Sequence, residues 1–152
     1  MAQAYQNILV AIDGSKQAHN AFLQALQTAR TNHGHIFLLT VLDIWNEDYH
    51  YDFKKSEERD NYTDRLVKKT QKQLNGLKEE AANYGFTDLD IHIRFGNPKT
   101  VIAHDFTIDH AVDLILLGPT GKGVVARALV GSTASYVVRS ASCDVLISHF
   151  DN

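Results

Sequence analysis

The sequence predicts an α/β fold: one open five-stranded parallel sheet, order 3-2-1-4-5, with helices on both faces. Three observations carry this. The runs Asn7–Ile12, Ile36–Leu42 and Asp113–Gly118 are apolar on both parities, as strands buried on both faces of a parallel sheet are. Segments of helical period separate the strands, and such alternation calls for a parallel sheet with crossover helices. Residues 88–95 instead alternate strictly, so that strand is covered on one side and belongs near an edge. Two-sided strands in the centre and the alternating strand outside satisfy the order 3-2-1-4-5. The topological switch then falls between strands one and four, where open sheets bind ligands at their carboxyl ends.

Each element has its own signal. Strand one stops at Asp13-Gly14-Ser15, a turn that supplies a helix cap. Ala18, Phe22, Ala25, Leu26 and Ala29 then recur at helical spacing until Asn32-His33-Gly34 ends the helix. After strand two, Asp43 to about Phe53 reads as a loop carrying Trp45, Tyr49, Tyr51 and Phe53. Local packing accounts for these aromatics more simply than cover over a ligand or contact with a partner. A charged helix follows, roughly Ser56 to Tyr84, with Leu66, Thr70, Leu74, Leu77, Ala81 and Tyr84 on its apolar stripe. Gly85 ends it. Asn97-Pro98 opens the next helix as cap and first-turn proline, and Ile102, Ala103 and Phe106 form its apolar face. Residues 119–130 form a glycine-containing loop. Ser132 or Thr133 caps the last helix, which buries Ala134, Val137, Val138 and Ala141, and Val145-Leu146-Ile147 is the last strand.

Composition bounds the function. With 152 residues, 44% hydrophobic and 22% charged, the chain is one ordinary globular domain, 1–152. A net charge of −3 and a pI near 6.2 argue against a general nucleic-acid-binding surface. A single cysteine, Cys143, fits a reducing compartment. The N-terminus lacks the basic start and long apolar stretch of a signal peptide, and no run reaches membrane-span length. These features point to the cytoplasm, with neither nucleic acid nor membrane as partner. Of the 33 charged residues, 18 lie between Asp43 and Glu80, ten acidic and eight basic. Mixed sign there means a solvated face.

The segment Gly118-Pro119-Thr120-Gly121-Lys122-Gly123 through Gly131-Ser132-Thr133 carries the most chemical information. Glycines let a backbone approach a ligand closely, and a helix N-terminus favours an anion. No Asp or Glu lies between Asp113 and Asp144, whereas Lys122, Arg127 and Arg139 do. On its glycines alone the segment reads more readily as a surface loop. Competing motifs are poor. Gly121-x-Gly123-x-x-Ala126 sits in the wrong place for a dinucleotide fingerprint. Neither G-x-x-x-x-G-K-[ST] nor G-x-S-x-G occurs. His104 and His110 are six residues apart, not the four that place two ligands on one helical face.

Spacing alters the balance. Gly118-x₂-Gly121-x₉-Gly131-Ser132-Thr133 resembles the nucleotide-binding signature of the universal stress protein family. So do the opening Ile8–Ser15, the strand Leu38–Val41, Gly96-Asn97-Pro98 and the strand Asp113–Gly118, so that the resemblance covers nearly the whole chain. It implies an ATP-binding site at the switch. Ala11, Ile12 and Asp13 would lie at the end of strand one, with Asp13 near the ribose or a Mg²⁺–phosphate. Val41 would meet adenine through its backbone, and Gly118, Gly121, Gly131, Ser132 and Thr133 would hold ribose and phosphates. Lys122 joins this set on charge and position alone. The resemblance further implies a homodimer paired through Val145, Leu146, Ile147 and Ser148, and a role in the stress response. Two positions depart from the family pattern. Asp144 stands where proline usually follows the cysteine, and Pro119 removes one backbone donor after Gly118. No catalytic residue is evident, so hydrolysis is expected to be absent or slow. The alternative is a Mg²⁺-dependent enzyme acting on adenylate or phosphate groups, with Asp13 holding the metal.

Overall fold

The computed structural model describes residues 4–44, 56–121 and 130–149. Strands β1 (Asn7–Ala11), β2 (His35–Leu42), β3 (Leu89–Phe95), β4 (Leu114–Leu117) and β5 (Asp144–Ile147) form one parallel sheet. Its order is β3-β2-β1-β4-β5, as expected. Central β1 pairs with β2 from Asn7↔His35 to Ala11↔Leu39, and with β4 from Ile8↔Leu114 to Val10↔Leu116.

The alternating parity of the strands builds two cores. Ile8, Val10, Leu38 and Leu116 face helices α1 (Lys16–Asn32) and α2 (Ser56–Asn83), meeting Phe22, Leu26 and Leu74. Leu9, Phe37, Leu39, Ile115 and Leu117 face the opposite layer of α3 (residues 98–109) and α4 (Ser132–Ser140), meeting Ile102, Phe106 and Val137. Full burial of each large apolar side chain contributes about 1.5–3 kcal/mol.

Helix ends follow local chemistry. The Ser15 hydroxyl accepts the Ala18 N–H at 3.1 Å, and the Asn97 side chain accepts that of Lys99 at 2.9 Å. Gly85, at φ +81°, turns the chain out of α2, where an L side chain is strained.

Five expectations change. Val138, expected on the buried face of α4, is 51% exposed, because it lies to one side of the Ala134 and Val137 face that packs on the sheet. Tyr84 is 53% exposed and leaves the apolar stripe of α2, because the chain already turns out of the helix after Asn83. α3 is not uniform: its middle, Val101–Asp105, is a π turn, and the Thr107 hydroxyl donates to the Ile102 carbonyl at 2.8 Å. The widened turn buries three consecutive residues, Val101, Ile102 and Ala103. The second face of β3 is not simply solvated, since His92 and Arg94 pack beneath the far end of α3. The cap of α4 is Gly131 rather than Ser132 or Thr133, and no side chain bonds there. Of the aromatic segment predicted as a loop, only its first two residues, Asp43 and Ile44, are described; Trp45, Tyr49, Tyr51 and Phe53 lie outside.

Candidate functional site

A cavity of about 300 Å³ opens at the carboxyl ends of β1, β2 and β4, large enough for a small ligand. It lies at the switch between β1 and β4. The predicted residues Ala11, Ile12, Asp13, Val41, Gly118, Gly121, Gly131, Ser132 and Thr133 all line it. Lys122 lies outside the described residues.

The β1 side is held rigidly. Ile12 N–H donates to the Leu39 carbonyl at 2.8 Å, and the Ile12 carbonyl accepts the buried Thr40 hydroxyl at 2.7 Å. Both peptide groups of Ile12 are thereby satisfied inside the fold. Ser15 N–H then donates to Asp13 Oδ1 at 2.9 Å, an Asx turn that bends the chain into α1. Gly14, at φ +84°, makes the bend.

Glycine is required on the β4 side by close approach. A methyl group on Gly118 would stand 2.7 Å from Gln17 Cβ and 3.0 Å from the Gln17 backbone carbon. One on Gly121 would stand 3.0 Å from Asp13 Oδ2, so the two sides of the cavity meet at that pair. Gly131 N–H donates to the Pro119 carbonyl at 2.6 Å. That donor is engaged within the loop, while Gly131 itself still lines the cavity. The first turn of α4 remains, with Ser132, Thr133 and Ala134 on the cavity wall. Helix N-termini present N–H groups without intrahelical partners and a positive dipole end.

The wall also includes residues that the sequence reading missed. Leu39, Pro98, Ile102, Leu117, Ala18 and Ala134 make much of it apolar, and Ser15, Pro119 and Thr120 complete it. In the sequence, Pro98 and Ile102 carry only the signals of a helix start and a core residue. Their signal was position: the helix after an outer strand begins at the same carboxyl end of the sheet. The cavity thus has an apolar portion between β2 and α3 and a polar portion between Asp13 and α4. Asp13 is the one carboxylate among the lining residues. A single carboxylate suits Mg²⁺ that arrives with phosphate, since that ion is usually held by one or two carboxylates plus substrate oxygens. No cluster of three or more metal-binding side chains occurs among the described residues.

Residues 4–149 match the family model described as universal stress protein family. The chain belongs to the universal stress protein family. A universal stress protein relative from Staphylococcus epidermidis is 35% identical over 146 residues, covering 95% of this chain and 84% of that one. The universal stress protein UspA from Lactobacillus plantarum superposes with TM-score 0.84 at 29% identity, over 96% of this chain and 99% of that one. Two more distant members share the fold. One, solved in complex with cAMP, has TM-score 0.70 and 23% identity, over 98% of this chain and 100% of that one. The other, from Archaeoglobus fulgidus in complex with dAMP, has TM-score 0.66 and 20% identity, over 95% and 98%.

Within this universal stress protein fold, β5 lies at the sheet edge, bonded on one side to β4. Val145, Leu146 and Ile147 are half-buried. Ser148, grouped with them from sequence, is 2% exposed and turned inward. Its N–H donates to the Leu117 carbonyl at 2.9 Å and its hydroxyl to Gln24 Oε1 at 2.6 Å. No helix among the described residues is long and apolar enough to cross a membrane.

Proposed function

We propose that this chain is an adenine-nucleotide-binding regulatory protein of the stress response, with ATP as ligand. One observation carries the reading: the cavity joins an apolar slot to a helix N-terminus at the topological switch. Leu39, Val41, Pro98 and Ile102 suit the flat apolar faces of a purine. The first turn of α4, at Ser132 and Thr133, suits its phosphates. The complexes of distant members with cAMP and dAMP support the same ligand class.

Asp13 needs a reason to share the site with an anion. Mg²⁺ bound to the phosphates would supply it by neutralising charge between them and the carboxylate. Asp13 would orient that ion, and Gly121 would leave room for it. The ligand would act by population shift, favouring the arrangement of the loops that close on it. The reading also takes the chain as a cytoplasmic homodimer that pairs through the free edge of β5, at Val145, Leu146 and Ile147.

Heat extraction of the purified protein, followed by mass analysis of the supernatant, tests the proposal. Release of adenine nucleotide in proportion to protein is expected, with ATP persisting rather than converting to ADP. Extraction of none, together with no uptake of added ATP, overturns it. Rapid conversion to ADP, lost in Asp13→Asn, points instead to an enzyme of phosphate groups.

A further inference from the structure

The far end of α3 rests on β2 and β3 through a cluster of rings. His92 on β3 lies 5.1 Å from both Phe106 and His110, edge-on to each. Phe37 on β2 is 5.8 Å from His92 and 5.0 Å from His110. His110 stacks on Phe106 at 3.9 Å, and its Nδ1 lies 3.2 Å from the Phe106 carbonyl. A carbonyl only accepts, so His110 carries its proton on Nδ1 in that bond.

His92 Nε2 is buried with no hydrogen-bond partner, the one such side-chain atom among the described residues. A neutral imidazole with its acceptor nitrogen there tolerates this. Protonation would place a donor and a charge in a site that satisfies neither.

The surrounding charges give little relief. His35 on β2 is held between Asp88 at 2.6 Å and Asp90 at 3.1 Å. Arg94, next on the same face of β3, pairs with Asp109 at 3.1 Å and lies over Phe106 at 5.2 Å. Both nearby carboxylates, Asp90 and Asp109, thus already have cationic or imidazole partners.

We propose that His92, packed against His110 and Phe106, forms an acid-sensitive clasp that holds the far end of α3 against the β2–β3 edge and loosens when His92 is protonated. The direction of the His92 titration agrees. Burial first, then His110, lower its affinity for a proton, with Arg94 and His35 adding to this and Asp90 opposing. The folded value lies below the ordinary 6.5. The stability this neutral ring contributes is therefore full above 6.5 and is lost as pH falls through the folded value. The other end of α3 carries Pro98 and Ile102 on the cavity wall. Acid would reach the cavity through this one helix, a step that rests on the nucleotide reading.

Thermal unfolding of ligand-free protein from about pH 7.5 down to about pH 5 tests the clasp. The wild-type midpoint is expected to fall more steeply than that of His92→Phe, which keeps a ring without a proton site. Equal slopes overturn the proposal. Imidazole NMR and amide exchange on the wild-type protein give a second test, independent of whether the variant folds. His92 should titrate below 6.5, and protection of residues 106–110 should drop about fivefold or more in acid. Titration at or above the ordinary value, or unchanged protection, overturns it. For the coupling, ATP affinity at the two pH values should fall more in wild type than in His92→Phe. An equal fall removes the coupling. A protein that binds no nucleotide defeats the proposed function, while the ligand-free measurements still decide the clasp.

Discussion

The Thr40 hydroxyl donates to the Ile12 carbonyl at 2.7 Å, tying β2 to the residue just past the end of β1. Thr40 is buried, and the bond holds the residue directly before Asp13, which lines the cavity. Thr40→Val keeps the shape and removes the donor, leaving the Ile12 carbonyl unsatisfied. The expected loss is about 1–3 kcal/mol of stability in urea unfolding, with a weaker grip on ATP. Thr40→Ser should recover most of both. If Thr40→Val matches wild type in both measurements, the bond does not position the turn.

Gly118 meets Gln17 so closely that even a methyl group must displace α1. Gly118→Ala should cost about 1–3 kcal/mol from overpacking and shift the β4 side of the cavity. A methyl group on Gly76, in α2, would meet nothing within 4 Å. Gly76→Ala should therefore stabilise the helix by up to about 1 kcal/mol. The two substitutions, compared by chemical denaturation, should move stability in opposite directions.

These glycines show where sequence reading succeeded and where it stopped. The sheet order was legible because Ile8–Val10 and Leu114–Leu117 are apolar on both parities, whereas Leu89–Phe95 alternates. Nine of the predicted site residues share one cavity because strand ends at a topological switch converge whatever the side chains are. The Gly131–Pro119 bond was not legible: which backbone donor a loop uses internally depends on its three-dimensional path. Nor was the ring cluster at His92. Its members come from β2, β3 and α3, and no single segment carries its pattern.

Asp13 places a negative charge beside the proposed phosphate position. ATP affinity in wild type should rise on adding Mg²⁺, and Asp13→Asn should bind metal-free ATP more tightly. Through solvent, one unit charge a few ångströms away is worth about 1 kcal/mol, or about fivefold in affinity. Fluorescence titration with and without Mg²⁺ checks this. An unchanged Mg²⁺ dependence in Asp13→Asn would remove the carboxylate from the ion's coordination.

Cys143 is half-buried beside Asp144, and burial pushes its thiol up to about 11, with the Asp144 charge adding to the shift. The reactive thiolate is therefore much scarcer at neutral pH than in a free cysteine. Alkylation followed by mass spectrometry should be slow at neutral pH and still accelerating above pH 9. A rate that is half-maximal near pH 8.5 would show an ordinary exposed thiol.

The proposed adenine-nucleotide site is the cavity between Asp13 and the first turn of α4. Isothermal titration of nucleotide-stripped protein with ATP in the presence of Mg²⁺ tests it most directly. Saturable binding of one ATP per chain, weakened in Thr40→Val, is expected. Absence of saturable binding up to millimolar ATP would contradict it.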